Sequence, residues 1–328
     1  MNLNFNRQVS IAPMLDYTDR HERYFLRLIS KHILLYTEMV TTHALIHSDK
    51  NRFLRHSPFE YPLALQLGGS DPKMLAECAK MGEDAGFFEI NLNCGCPSDR
   101  VQQGSFGACL MRHKDLVAEC LYQMQKAVSI PVTLKTRIGI DHDDSFEFFF
   151  DFIKTQAEAG CKTFIIHARK AWLKGLSPKE NRSIPPLQYS YAIELKKQLP
   201  DLHISLNGGV TSIEQIQELL TQVDGVMVGR EAYENPWFLS TVDSKVFKED
   251  TNPPANRKDL LRSFLPYIES QLKEGCPLTV ISRHLVGLFN GLPGARRYRQ
   301  ILSNESSVAN AGIEVITRAM DAVQEESP

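Results

Sequence analysis

Short apolar runs rich in β-formers recur along this chain, and each is followed by a segment of helical periodicity. The runs fall at residues 9–12, 34–38, 63–67, 88–93, 132–137, 163–167, 203–207 and 225–228. Helical patterns lie between them, around residues 21–29 and over 72–85, 110–127 and 146–159. Ile213, Ile216, Leu219 and Leu220 form a clear helical stripe, and Thr211 with Glu214 reads as a capping box opening it. Strands alternating with helices give a parallel sheet covered by helices. Eight such units in roughly 240 residues match an α/β fold of the (β/α)8 TIM-barrel type. A doubly wound open sheet competes, and counting alone does not exclude it.

After Val246 the texture changes. Residues 248–257, KEDTNPPANR, read as a polar linker, and the apolar spacing beyond them is helical: Leu260, Leu261, Phe264, Leu265 and Ile268, then Val280, Leu285, Leu288 and Phe289, then Ile313, Ile316, Met320 and Val323. The expected organisation is a barrel over 1–247, a linker over 248–257 and a small all-α helical-bundle domain over 258–328. The net charge of −2 gives no global basic field, so any nucleic-acid contact must use local patches. No apolar segment opens the chain and none reaches the length of a membrane span. With seven cysteines, an odd number, the expectation is a cytoplasmic protein with free thiols and no membrane partner. Cys94 and Cys96 lack a second pair or a His cluster, so no metal is expected.

In a barrel of this kind the loops after the strands build the active face. Pro13, Met14 and Leu15 follow the first strand, and Gln66 lies on the third. On the fourth, alternation puts Glu89, Asn91 and Asn93 on one face. Gly95 and Pro97 then turn the chain around Cys96, a possible nucleophile or proton donor; taken alone, the stretch favours two small buried hydrophobes at 94 and 96. The fifth strand carries Lys135 and Arg137. Lys135 needs an anionic or acceptor partner, either Glu38 or Glu89 or an electron-rich bound ring. His167 closes the sixth strand as a donor or acid. Gly208 and Gly209, after Asn207, let the backbone approach a ligand, and the helix start at Thr211 offers N–H groups. Gly229 and Arg230 add a second close approach and a cation. A planar heterocycle bearing one phosphate satisfies this set: FMN, held by Pro13, Met14, Leu15, Gln66, Lys135, His167, Asn207, Gly208, Gly209, Gly229 and Arg230.

The segments IAPMLDYTDR, ALQLGGSDP, EINLNCGCPSDRVQQGSFGACLM, VTLKTRIGID, IHARKAWLKGLSPKENR, SLNGGV, VGREAYENPW and GLFNGLPGARRYR span nearly the whole chain. They resemble the tRNA-dihydrouridine synthase family, most of all its A subfamily. The resemblance implies an FMN-binding barrel with a helical RNA-binding domain, reduced by NADPH, with NADH as the alternative. It implies hydride transfer to C6 of a tRNA uracil at D-loop positions 20 and 20a, and proton transfer to C5 from a loop cysteine, which by motif match is Cys96. Asn93, three residues earlier, would bind the uracil edge.

A flipped-out base must be offset by contacts elsewhere. Residues 169–182 hold five basic residues against Glu180 alone, and residues 257–303 hold eight against three acidic ones. Ser177 and Glu180 read as a capping box that sets Lys179 and Arg182 on one face. Arg296 and Arg299 have the same spacing. The A subfamily is similar at Lys179, Arg182, Arg296 and Arg299, so these are the expected tRNA contacts of a monomer. The rivals are a small-molecule FMN-dependent dihydropyrimidine or dihydroorotate-type dehydrogenase, and a non-catalytic tRNA-binding protein.

Overall fold

The structure is a computed structural model that describes residues 5–98, 101–102, 104–249, 251 and 253–325. Asp99, Arg100 and Gln103 of the loop motif, and Asp250 and Asn252 of the expected linker, lie outside the described residues. Contacts divide the chain into two compact units, Met1–Thr18 with Ile33–Gly229, and Asp19–His32 with Arg230–Pro328.

The first unit contains eight parallel strands: β1 (Val9–Ile11), β2 (Leu35–Thr41), β3 (Leu63–Gly68), β4 (Glu89–Cys94), β5 (Val132–Arg137), β6 (Thr163–His167), β7 (His203–Asn207) and β8 (Gly225–Val228). Their order is β1-β8-β7-β6-β5-β4-β3-β2, and a parallel bridge between Ser10 and Leu34 closes the ring between β1 and β2. Two backbone bonds hold that seam, from Ile11 N to Leu34 O (2.9 Å) and from Leu34 N to Val9 O (3.1 Å). Helices cover the outer faces. Several begin where a short polar side chain takes up free N–H groups: Asp71 accepts from Met74 N ahead of Pro72–Asp84, and Ser145 from Phe148 N ahead of Phe146–Glu158. The helix Ile213–Leu219 is capped by Ser212, which accepts from Gln215 N, and not by Thr211. Thr211 instead donates its N–H to Gln215 Oε1 at 3.0 Å, so the cap lies one residue later than the sequence pattern suggested. The helix expected from residue 110 begins at Lys114, behind a 3-10 turn over Gly107–Arg112.

Both faces of the strands are buried, which explains their near-continuous apolar runs. Leu65, Leu92, Leu134, Phe164, Leu206 and Val226 are fully covered. Within the ring, Ala12, Leu34, Tyr36, Ala64, Ile165 and Met227 form an apolar cluster, with Phe5 and Met14 packed against it. The inner face of β4 is polar.

The second unit is helical. Its longest helix, Arg257–Lys273, is capped by Asn256 through Asp259 N (2.8 Å) and buries Leu260, Leu261, Phe264 and Ile268. The helix Arg20–Ile29 packs on it, with Phe25 and Phe264 ring centroids 5.2 Å apart and Tyr24 stacked on Tyr267 at 4.0 Å. Ser30 Oγ and Lys31 N both bond the Asp243 carboxylate. The sequence boundary at residue 247 separated these segments; by contacts, residues 19–32 and 230–247 group with the later helices, Phe25 packing on Phe264 and Asp243 tying Ser30 and Lys31 to the segment after the barrel strands. Among the described residues, no helix is long and apolar enough to cross a membrane, and no group of three His, Cys, Asp or Glu side chains is placed to hold a metal.

Candidate active site

Cys94 ends β4, whereas Cys96 lies on the loop beyond it. Glu89, Asn91 and Asn93 point into the ring, so Cys94 points outward to the helices. Cys94 is fully buried, and burial pushes its thiol well up, which leaves it an inert packing group. Cys96 lies past the strand end and is only partly buried. Asn93 Oδ1 accepts from Gly95 N at 3.1 Å and from Cys96 N at 3.0 Å, turning the chain sharply after the strand. Cys96 O accepts from Ala108 N at 2.9 Å. Gly107 makes that approach possible: its φ is +78°, and a Cβ there would lie 2.5 Å from Cys96 O. The sulfur itself lies 3.6 Å from Ser98 Oγ.

Lys135 faces Asn93 across the β4–β5 register. Its ammonium donates to Asn207 Oδ1 at 3.2 Å, and Asn207 is oriented by its own bond to Met227 O at 2.8 Å. Neither carboxylate considered from sequence is its partner. Glu89 is held by Arg7 (2.9 Å), and Glu38 Oε1 accepts from Asp16 N (2.6 Å). Burial, and then the nearby Arg137 cation, pushes the Lys135 amine down to about 7, while Cys96 acts the other way. His167, next to Arg137 and Asn207 in register, is pushed well below its ordinary value by burial, Arg137 and Lys135. The inner end of β5 to β7 therefore gathers three basic side chains, Lys135, Arg137 and His167, whose charged forms burial disfavours.

Arg137 received no role from sequence. It is buried, donates from Nε to Gly95 O (2.8 Å) and from Nη1 to Lys170 O and Asn181 O (both 3.0 Å). It thus ties the cysteine loop to the basic loop after β6. The one available signal was its spacing, two residues after Lys135 and so on the same inward face.

Gly208 and Gly209 have φ of +128° and +70°, and a Cβ at either would come within 2.8 Å or 2.6 Å of Leu187. Tyr189 Oη donates to Gly208 O at 2.5 Å and fixes the turn. Gly229, after β8, borders open space. These glycines form a backbone cradle, but Thr211 does not extend it, since its N–H is taken by Gln215. Arg230 is exposed and opens the helix Arg230–Glu234, which groups with the second unit. In the first loop, Met14 N donates to Thr18 Oγ1 (3.0 Å), Pro13 is partly buried, and Leu15 is 66% exposed. Gln66 is buried on β3 beside Asn91 and Asn93.

In the basic loop, Ser177 and Glu180 make the reciprocal bonds of a capping box (2.8 and 3.3 Å), with Lys179 and Arg182 exposed on the turn they define. In the second unit, the helix Ala295–Glu305 exposes Arg296, and Arg299 donates to Asn290 Oδ1 at 2.9 Å. Of the aromatics nearby in sequence, Phe106 and Tyr298 are core residues; Tyr298 Oη donates to Leu285 O at 2.9 Å. Trp172 is partly buried under Lys170, whose Nζ lies 4.3 Å from the ring centroid.

A family model described as Dihydrouridine synthase (Dus) matches residues 10–324. A relative from Synechocystis sp., named tRNA-dihydrouridine(20/20a) synthase, is 56% identical over 314 residues, 96% of this chain and 94% of its own. Relatives of the same name from Shewanella oneidensis and Escherichia coli are 56% and 55% identical, over 98% and 99% of this chain and 95% and 94% of theirs. A solved complex of 2-naphthoyl-CoA reductase with 2-naphthoyl-CoA superposes with a TM-score of 0.57 at 11% identity, over 72% of this chain and 49% of that one, a likeness of fold alone.

Proposed function

The chain belongs to the dihydrouridine synthase family, and from that premise we propose that it reduces the C5–C6 bond of uridine at positions 20 and 20a of the tRNA D-loop. FMN is the proposed cofactor and NADPH its reductant. Two features support FMN. Lys135 is an inward cation bonded to a neutral amide and not to a carboxylate, and Gly208, Gly209 and Gly229 give backbone room for a phosphate at two adjacent strand ends. Lys135, Gln66, His167 and Asn207 would hold the ring, with Arg230 and the first-loop residues Pro13, Met14 and Leu15 completing the cofactor set. When bound, FMN supplies hydride to C6 of the uracil.

The protein's part is proton delivery and positioning. Negative charge that builds at C5 and its carbonyl is quenched by the Cys96 thiol. Asn93 holds the Cys96 backbone and binds the uracil edge. Lys135 stabilises negative charge on the electron-rich partner, and its cost of burial makes that interaction strong when filled. The target base leaves its stack at a cost of a few kcal/mol. Phosphate contacts from Lys179, Arg182, Arg296 and Arg299 offset that cost.

The observation that carries this reading is the division between Cys94, buried and inert, and Cys96, on a loop braced by Asn93 and Arg137. The test is Cys96→Ala with tRNA lacking the modification, and dihydrouridine quantified by mass spectrometry. The variant should keep its yellow cofactor and bind tRNA while product formation falls by roughly 10²-fold or more. Normal turnover would remove Cys96 from the chemistry.

A further inference from the structure

A chain of six hydrogen-bonded side chains runs along the inside of the ring, from Arg7 to the cysteine loop. Arg7 is paired with Glu89 Oε2 (2.9 Å). Glu89 Oε1 accepts from Tyr36 Oη (2.6 Å) and from Thr133 Oγ1 (2.7 Å). Asn91 Nδ2 donates to Thr133 Oγ1 (2.8 Å), and Gln66 Nε2 donates to Asn91 Oδ1 (2.8 Å). Asn93 Nδ2 donates to Gln66 Oε1 (2.9 Å), leaving Asn93 Oδ1 to receive Gly95 N and Cys96 N. Strand register builds the chain, since Asn91 sits opposite Gln66 on one side and Thr133 on the other. Glu89, Asn91, Gln66 and Thr133 are all at most 1% exposed.

We infer that Thr133 is a positioning residue, through which Glu89 sets the donor–acceptor direction of Asn91, Gln66 and Asn93 and so holds the Cys96 loop. An amide can be turned end for end in a cavity of its own shape, so its direction must come from its neighbours. Here both ends of the chain are fixed. A carboxylate paired with a guanidinium only accepts, so the Thr133 hydroxyl points its proton at Glu89 and offers its lone pair to Asn91. The backbone N–H groups of Gly95 and Cys96 only donate. Every amide between them has one orientation that satisfies both ends. A hydroxyl lost at position 133 leaves Asn91 Nδ2 without its acceptor. Asn91, Gln66 and Asn93 are then directed only from the loop end, by the Gly95 and Cys96 N–H groups, and the strand side no longer opposes their turning over together, which would set an Asn93 N–H against the Cys96 N–H.

Valine has the shape of threonine without the hydroxyl, and serine keeps the hydroxyl, so the pair isolates it. Relative to wild type, Thr133→Val should lower kcat for dihydrouridine formation on the order of tenfold with KM for tRNA within about twofold, and Thr133→Ser should stay within about twofold. In an Asn93→Ala background, Thr133→Val should add less than about twofold, because the link it acts through is already gone. Equal losses in the Val and Ser variants, or a Val loss that multiplies in full on Asn93→Ala, would overturn the inference. Neutron diffraction from the deuterated wild-type protein tests the same point with no variant to fold. It should place deuterons on Asn91 Nδ2 toward Thr133, on Gln66 Nε2 toward Asn91 and on Asn93 Nδ2 toward Gln66; one reversed amide overturns the inference. The rate readout rests on the proposed reaction, whereas the neutron map does not, so failure of one is distinguishable from failure of the other.

Discussion

Replacing Lys135 by methionine should stabilise the ligand-free protein while abolishing its activity. The lysine is charged in the unfolded chain up to its ordinary 10.5, but burial and Arg137 push it down to about 7 in the folded site. Below pH 7 the folded state carries a buried charge, and the penalty is present in full, ~5 kcal/mol for that difference of 3.5. Between 7 and 10.5 the unfolded chain binds one more proton, so wild-type stability rises by about 1.4 kcal/mol per pH unit from this group, and the penalty vanishes at the upper limit. Methionine keeps the apolar stem and removes the penalty, at the loss of the Asn207 hydrogen bond, worth about 1 kcal/mol. Lys135→Met should therefore be more stable than wild type by ~4 kcal/mol at pH 6 and ~1 kcal/mol at pH 9, converging near pH 10. Urea melts of the cofactor-free proteins across that range measure the gap. A gap independent of pH, or a variant less stable at pH 6, would refute the reasoning that this amine is held at a cost for a ligand.

Two further perturbations follow from the geometry. Gly209→Ala places a Cβ at φ +70° and 2.6 Å from Leu187 Cδ1, so it should cost ~1–2 kcal/mol of stability and lower the flavin content of the purified protein, both readable by melting and visible absorbance; unchanged flavin content would take this turn out of the phosphate cradle. Lys179→Ala combined with Arg182→Ala should weaken tRNA binding and reduce the slope of log affinity against log salt by roughly 2; an unchanged slope, measured by filter binding at several salt concentrations, would take both residues out of the interface.

The eight strands were legible because burial on both faces leaves long apolar runs that only a sheet covered by helices produces. The inward set on β4 was legible from alternation alone, which also turns Cys94 to the outer face; Cys96 has the same parity and leaves the core only because the chain turns under Asn93 after the strand end. Tyr298 carried a readable signal too: Ala295, Tyr298, Ile301 and Leu302 share the helical stripe that packs inward. Other features depend on distant partners. Arg137 looks like any strand cation until the carbonyls of Gly95, Lys170 and Asn181 converge on it. The Ser212 cap differs from the expected Thr211 by one residue, because Gln215 closes on Thr211 N–H and both hydroxyl residues are competent caps. The amphipathic pattern of residues 20–29 showed that one face is covered, but Phe264, which covers it, lies far along the chain.

That last pairing bears on how the chain is made. Emerging from the ribosome, the helix Arg20–Ile29 carries Phe25, Leu26 and Ile29, all buried in the finished structure, long before Leu260, Phe264 and Ile268 exist to meet them. A nascent chain would carry a greasy orphan through most of its synthesis, a natural place for a holding chaperone. A product stopped after β8 would be a sticky fragment with Phe25 uncovered, not a smaller enzyme.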